Sequence, residues 1–225
     1  MKKNELNEIV AQLSDVVIEA DGFTFRDLNK NGLLDIYEDP RQPIDARVED
    51  LLNQMTLEEK AGTMFINGAV VNDDGSIEEK PGVEGFGRSA LPQMVNYKMN
   101  HFNLWQIPGA EVVAIWYNNL QKVAERTRLG IPVSVASDPR NHFSKTIFSM
   151  AATDFSQWCE PLGFAAIGDP DLVRDFAEYV RREYLAVGMR IALHPQIDLA
   201  TEPRWPRISG TFGEDAELTA LLGQA

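Results

Sequence analysis

A single cysteine, Cys159, stands among 225 residues. It has no partner within the chain, which excludes a disulfide scaffold and a four-cysteine zinc site and favours a small buried hydrophobe. Basic residues are also scarce: 21 Lys and Arg against 34 Asp and Glu leave a net charge of −13. Nucleic-acid backbones are held by clustered Lys and Arg, so this balance argues against such a partner and suits a neutral or cationic one. No run approaches about 18 consecutive apolar residues, so no membrane-spanning helix is expected. The opening MKKNELNEIVAQLSDV has two lysines but lacks the apolar centre of a secretory signal. That reads as a cytoplasmic protein, or as an exported one after processing. The three histidines, His101, His142 and His194, lack metal-ligand spacing. Structural or surface roles are favoured for them, with His142 kept as a pocket candidate. Repeats and low-complexity tracts are missing as well.

What is present is an ordinary globular composition, 44% hydrophobic and 24% charged, which excludes disordered and fibrous classes. Residues 3–18 read as an amphipathic helix, and 21–43, rich in Asp, Asn, Gly and Pro, as loop. A helix is predicted from Ile44 to Met55. Thr56-Leu57-Glu58-Glu59 then reads as a capping box opening a short helix at Leu57. Thr63–Asn67 is a strand candidate, and 68–107 a long excursion with weak periodicity. Helical spacing returns over Gly109–Arg128, with Val112, Val113, Trp116, Leu120 and Val123 on one stripe. Ile131–Ala136 and Leu162–Ile167 are apolar strand candidates. Asp169-Pro170 opens a helix whose stripe is Leu172, Val173, Phe176, Val180 and Tyr184, and Gly188 ends it. Met189–Leu193 is a fourth strand candidate, and Glu214 opens a last helix.

Such alternation of short apolar strands with helices implies an α/β fold with a parallel sheet. Polar residues gather just past two strands, at Asp138–His142 and at Asp198–Arg207. In α/β barrels and open sheets that edge carries the active site.

Two constellations have chemical content. Asp27, Asn29, Asn31, Leu33 (through its carbonyl), Asp35 and Glu38 fit the twelve-residue calcium loop, with Gly32 at its sharp turn. They point to a structural Ca²⁺ bracing the loop. The competing reading is an Asn/Gly turn that only shares the pattern, since the preceding Phe23-Thr24-Phe25 looks extended. The second is Glu202-Pro203-Arg204-Trp205-Pro206-Arg207, followed by Phe212-Gly213-Glu214-Asp215. Arginine donates to sugar hydroxyls or pairs with carboxylates, and tryptophan offers a flat apolar face. The plainer reading has Glu214 or Asp215 pairing with an arginine to brace the loop. Trp116 falls on a helix stripe and reads as core; Trp158 and Trp205 fall in loops.

With these stretches in hand, the chain resembles the N-terminal barrel domain of the family 3 glycoside hydrolases, the β-glucosidase and β-xylosidase group. The resemblance runs through Arg47-Val48-Glu49-Asp50-Leu51-Leu52, Met55–Lys60, Leu129-Gly130-Ile131-Pro132-Val133 ending at Asp138, Pro195, Asp198, Pro203-Arg204-Trp205, Arg207 and Phe212–Asp215. It implies the N-terminal part of a (β/α)8 TIM-type barrel with long loops. Residues 1–43 would be a helix and calcium-type loop segment, and 44–225 an incomplete barrel domain. It also implies retaining hydrolysis of terminal β-linked glucosides or related β-glycosides, through a covalent glycosyl-enzyme. Asp138 and Arg207 would bind the sugar of the cleavage subsite, with Arg204, His142 and Trp205 as further candidates. The family's Lys-His motif, its nucleophile motif and its acid/base glutamate fall beyond residue 225, so no catalytic residue is expected here. No cofactor is required for that chemistry. The sequence departs from the family pattern at Glu202, Pro206 and Gly210.

An eight-fold barrel takes about 250 residues, and four strand candidates make half of one. Open edges are a liability for a free monomer, so the remainder of the enzyme or a second chain should complete the barrel. Two alternatives remain open: a non-catalytic carbohydrate-binding or scaffold fragment, and a calcium-dependent interaction module. The sequence discriminates these in part: a binding module would not need Asp138 and Arg207 on one face.

Overall fold

The computed structural model describes residues 16–79, 87–137, 141–142 and 154–225. The helix expected over 3–18 lies mostly outside these. Its end is instead a strand, β1 (Val17–Ala20), which pairs antiparallel with β2 (Phe23–Arg26). Asp21 and Gly22 make the turn with positive φ (54° and 78°). Arg41 lies over the rings of Phe23 and Phe25, covering the hairpin with its guanidinium plane. The stretch 21–43 is therefore less of a loop than its composition implies, holding β2 and a 3₁₀ turn at Ile36–Glu38.

Helix α1 (Ile44–Gln54) and helix α2 (Leu57–Thr63) follow as expected. Both halves of the Thr56 capping box form: Thr56 Oγ1 accepts from Glu59 N at 3.2 Å, and Glu59 Oε2 accepts from Thr56 N at 2.9 Å. The helix takes Thr63, so the strand β3 begins only at Ile66 (Ile66–Ala69). Two elements then occupy the expected excursion: helix α3 (Ala90–Tyr97) and strand β4 (His101–Leu104). Helix α4 (Ala110–Arg126), strand β5 (Ser134–Ser137), helices α5 (Pro161–Ile167) and α6 (Pro170–Ala186), strand β6 (Ile191–Ala192) and helix α7 (Ala216–Gln224) complete the order.

Leu162–Ile167 is a helix, not a strand. An apolar run of six residues fits either element, and its ends decide. Pro161 sits in the first helical turn, and Gly168 closes the helix at φ 71°, the proline-first, glycine-last asymmetry of helices. The fourth parallel strand is β4. Met189–Leu193 narrows to a two-residue strand in the ladder.

Strands β3, β4, β5 and β6 lie side by side in chain order, all parallel. Each is followed by at least one helix, the succession of a (β/α) barrel; among the described residues the sheet is open at β3 and at β6. Alternation along the strands sorts the two faces. Phe102, Leu104 and Val135 point to the helices and are buried with Val113, Trp116, Leu120 and Val123 of α4 and Val173, Phe176, Val180 and Tyr184 of α6. The opposite, lumen face carries Ile66, His101 and Ser134 at one level and Gly68, Asn103, Ala136 and Ile191 at the next. Two glycines are fixed by close approach. A Cβ on Gly188 (φ 93°) would lie 2.2 Å from the Tyr117 ring, and one on Gly130 (φ 59°) 2.9 Å from Leu28. The second contact draws the 27–38 loop onto the end of α4. There Lys30 Nζ donates to Thr127 O at 2.6 Å, Tyr37 Oη to Leu129 O at 3.2 Å, and Arg26 pairs with Glu125.

Candidate functional site

The loops that leave the C-terminal ends of β5 and β6 form the candidate site. Asp138 lies outside the described residues, but the loop that bears it resumes at Asn141 and His142. Glu183 of α6 anchors this loop. Its carboxylate accepts from Asn141 Nδ2, from Ser156 N at 2.9 Å and from Ser156 Oγ at 3.0 Å. Trp158 Nε1 donates to the same Ser156 Oγ at 3.0 Å, and Trp158 N donates to Asn141 O at 2.9 Å. Half-buried carboxylates with several donors are costly to delete, on the order of 2–3 kcal/mol. Glu183→Ala is therefore expected to lower the melting temperature by about 5–10 °C. An unchanged thermal melt would show that the loop holds without it.

His142 is 1% exposed. It stacks on Phe176 with ring centroids 5.5 Å apart, and meets His194 edge-on at 6.4 Å. It thus packs behind the loop, among the rings of α6, rather than facing solvent. His194 itself lies 2.9 Å from Tyr184 Oη through Nε2. Trp158 packs against Phe164, Phe176 and Tyr179, as part of the same aromatic cluster.

Beyond β6 the chain runs through His194 and Pro195 into a loop tied down by Gln196 N→Gly210 O (3.1 Å) and Ala200 N→Gly213 O (2.9 Å). Arg204 forks onto Glu202, Nε to Oε1 and Nη2 to Oε2 both at 2.8 Å, while Arg204 N donates to the same carboxylate at 2.9 Å. The guanidinium and then the amide hold the Glu202 carboxyl down at about 2. Both side chains face solvent, so the pair orders Arg204 more than it stabilises the fold. The glutamate that departs from the family pattern is thus the brace, a partner that neither Glu214 nor Asp215 supplies. Asp215 instead caps α7, accepting from Leu218 N at 2.8 Å. Arg207 is exposed. With the Gln196 amide turned so that its oxygen faces the guanidinium, that oxygen accepts from Arg207 Nε at 3.3 Å and Nη2 at 2.6 Å. Trp205 sits between the two arginines, half-buried.

Sequence reasoning missed Glu183, which lies on the half-buried flank of a helix stripe. It also missed Asn103. That residue is 6% exposed, yet among the described residues its Oδ1 has no hydrogen-bond partner. A buried unpaired polar group costs about 1–3 kcal/mol.

The 27–38 loop lies elsewhere, against the end of α4. Its carboxylates are engaged by hydrogen bonds within the loop. Asp27 accepts from Asn31 N (3.1 Å) and Gly32 N (2.9 Å), and Asp35 Oδ2 accepts from both Asn29 Nδ2 (2.6 Å) and Asn31 Nδ2 (2.7 Å). Glu38 Oε1 accepts from Leu28 N (2.6 Å) and Asn29 N (3.2 Å), and its Oε2 from Asp35 N (3.0 Å). Among the described residues no three His, Cys, Asp or Glu side chains gather as a metal site by themselves. A cation here would need the Asn29 and Asn31 amide oxygens and the Leu33 carbonyl as well. The all-oxygen set is of the kind Ca²⁺ takes.

Comparison with known proteins gives the same outline. The glycosyl hydrolase family 3 N-terminal domain matches residues 110–225. Beta-glucosidase C of Emericella nidulans is 47% identical over 201 residues, 87% of this chain and 31% of that protein. The periplasmic beta-glucosidase/beta-xylosidase of Dickeya chrysanthemi is 46% identical over 214 residues, 92% of this chain and 31% of that one. The chain thus spans about a third of the length of these curated relatives. Among solved structures, a β-glucosidase of Erythrobacter marinus superposes with a TM-score of 0.65 at 24% identity, covering 84% of this chain and 23% of that one. That likeness speaks to the fold.

Proposed function

The chain belongs to glycosyl hydrolase family 3, and from that membership we propose that it forms the N-terminal half of a barrel in a retaining β-glycosidase acting on terminal β-linked glucosides or related β-glycosides. The observation that carries this reading is the identity to named β-glucosidases, 46–47%, sustained along 87–92% of the chain. Geometry supports it: the β5 and β6 loops leave adjacent strands at one edge of the sheet. In this reading Asp138 and Arg207 take hydroxyls of the sugar in the cleavage subsite. Trp205 offers an apolar face, Arg204 is steered by Glu202, and His142 supports the Asp138 loop from behind. The nucleophile and acid/base belong to sequence outside these 225 residues, and so does the other half of the barrel. The test supplies that missing part, from the gene past codon 225 or by joining residues 1–225 to the remaining two thirds of the Dickeya chrysanthemi protein. Release of the aglycone from an aryl β-glucoside is expected; a folded, joined protein that leaves it intact contradicts the reading.

For the 27–38 loop the proposal is a structural Ca²⁺ held by Asp27, Asn29, Asn31, Asp35, Glu38 and the Leu33 carbonyl. The ion would supply no chemistry; it would fix the loop against α4. A ligand at about 100 times its dissociation constant stabilises by roughly 2.7 kcal/mol. Millimolar calcium added to chelated protein is expected to raise the melting temperature, and Glu38→Gln to abolish that rise. Superimposable melts with and without calcium would leave the loop as a hydrogen-bonded turn.

A further inference from the structure

The lumen face of the sheet carries a group that neither the packing nor the loops explain among the described residues. Asn103 is the third of four residues in β4, near the end where barrels keep their sites. Pairing sets it beside Gly68 on β3 and Ala136 on β5, on the face opposite Phe102 and Leu104. Barrel interiors are ordinarily filled here by Val, Ile or Leu. Instead Gly68 brings no side chain and Ala136 a methyl, so neither can satisfy a carboxamide. Asn103 is more than nine-tenths buried, and among the described residues its Oδ1 has no hydrogen-bond partner. One level deeper on the same face, His101 lies beside Ser134, and its Nδ1 is likewise buried and without a partner among the described residues. Polar groups thus run along a lumen where hydrocarbon is the rule.

We propose that Asn103 is a sugar-binding residue at the floor of the barrel mouth, its carboxamide engaging hydroxyls of the pyranose. This rests on the glycosidase reading and adds to it a residue on a strand rather than on a loop. A carboxamide presents one acceptor and one donor group side by side. Vicinal hydroxyls of a pyranose, each both donor and acceptor, match that pair, whereas an apolar ligand leaves it unsatisfied. Rigid strand backbone on both sides fixes its position better than a loop would. The unpaired oxygen is then a stability cost retained for binding.

The test uses the ¹⁵N-labelled 225-residue chain titrated with D-glucose, read at the Asn103 side-chain NH₂ resonances and, in the parent and variants alike, at the backbone amides of β4 and of the β5 and β6 loops. A saturable shift of the NH₂ pair in the millimolar range is expected. Asn103→Ala is expected to weaken the apparent Kd at least fivefold while leaving the sugar-free melting temperature unchanged or higher. Asn103→Leu, close in size and without polar atoms, is expected to do the same. Glucose shifts elsewhere with an unchanged Kd in both variants would overturn the role of Asn103 and leave the glycosidase reading standing. A lowered melting temperature with unchanged Kd would make Asn103 structural and overturn it too. No saturable shift at any resonance would count against the sugar site itself.

Discussion

The purified 225-residue chain is expected to leave an aryl β-glucoside intact under conditions where the joined protein hydrolyses it. Retaining hydrolysis needs two carboxyl groups about 5–5.5 Å apart, one attacking the anomeric carbon and one protonating the leaving oxygen. The acids described on the β6 loop and at the start of α7 are committed or dispersed. Glu202 is forked onto Arg204, Asp215 caps α7, and Asp198 and Glu214 stand exposed. Among the described residues the sheet is also open at β3 and β6. Ile66 is 50% exposed and Leu193 50%, so water reaches both edges of the sheet. Electrostatic stabilisation of an oxocarbenium-like transition state fades in such a setting. Robust turnover by the isolated chain would show that a nucleophile lies within it.

In the joined protein, Arg207→Ala is expected to lower kcat/KM by tenfold or more with little change in melting temperature. Of the five N–H groups of a guanidinium, two turn to Gln196, which leaves three for a ligand. Gln196 is neutral, so it orients Arg207 without quenching its charge. Hydrogen bonds to a charged donor are worth about 1.5–3 kcal/mol, and roughly 1.4 kcal/mol is a factor of ten. Asp138→Asn is expected to act in the same direction, by replacing a charged acceptor with a neutral one. The competing account makes Arg207 a brace of its loop. It requires a lowered melting temperature with kcat/KM of the folded fraction unchanged, so both quantities are measured on one sample.

Much of this architecture is legible in the residues, for identifiable reasons. Thr56 and Glu59 announce a helix start because a capping box is a local device. Asp169 and Pro170 do the same for α6, where the Asp169 carboxylate accepts from Asp171 N at 2.9 Å. Stripes such as Val113, Trp116, Leu120 and Val123 mark the core because helix periodicity survives any tertiary context. Leu162–Ile167 misleads because six apolar residues carry no period, and only Pro161 and Gly168 distinguish helix from strand. Strand β4 hides because His101 and Asn103 face the lumen, which breaks the apolar run expected of a strand buried on both faces. Glu202 shows the limit for the site. Its spacing to Arg204 is plain in the sequence, but which acid braces which arginine is set by the turn that brings Arg204 N onto the same carboxylate. Asn103 leaves no signal at all without the register that sets Gly68 and Ala136 beside it.

The central claim, that these residues build half the barrel of a retaining β-glycosidase, is met most directly by the configuration of the first product. Proton NMR of the joined protein cleaving an aryl β-glucoside should show the β anomer of the free sugar appearing first, with the α anomer growing in only as mutarotation proceeds. The α anomer appearing first would mean inversion, and would contradict the covalent route on which the account stands.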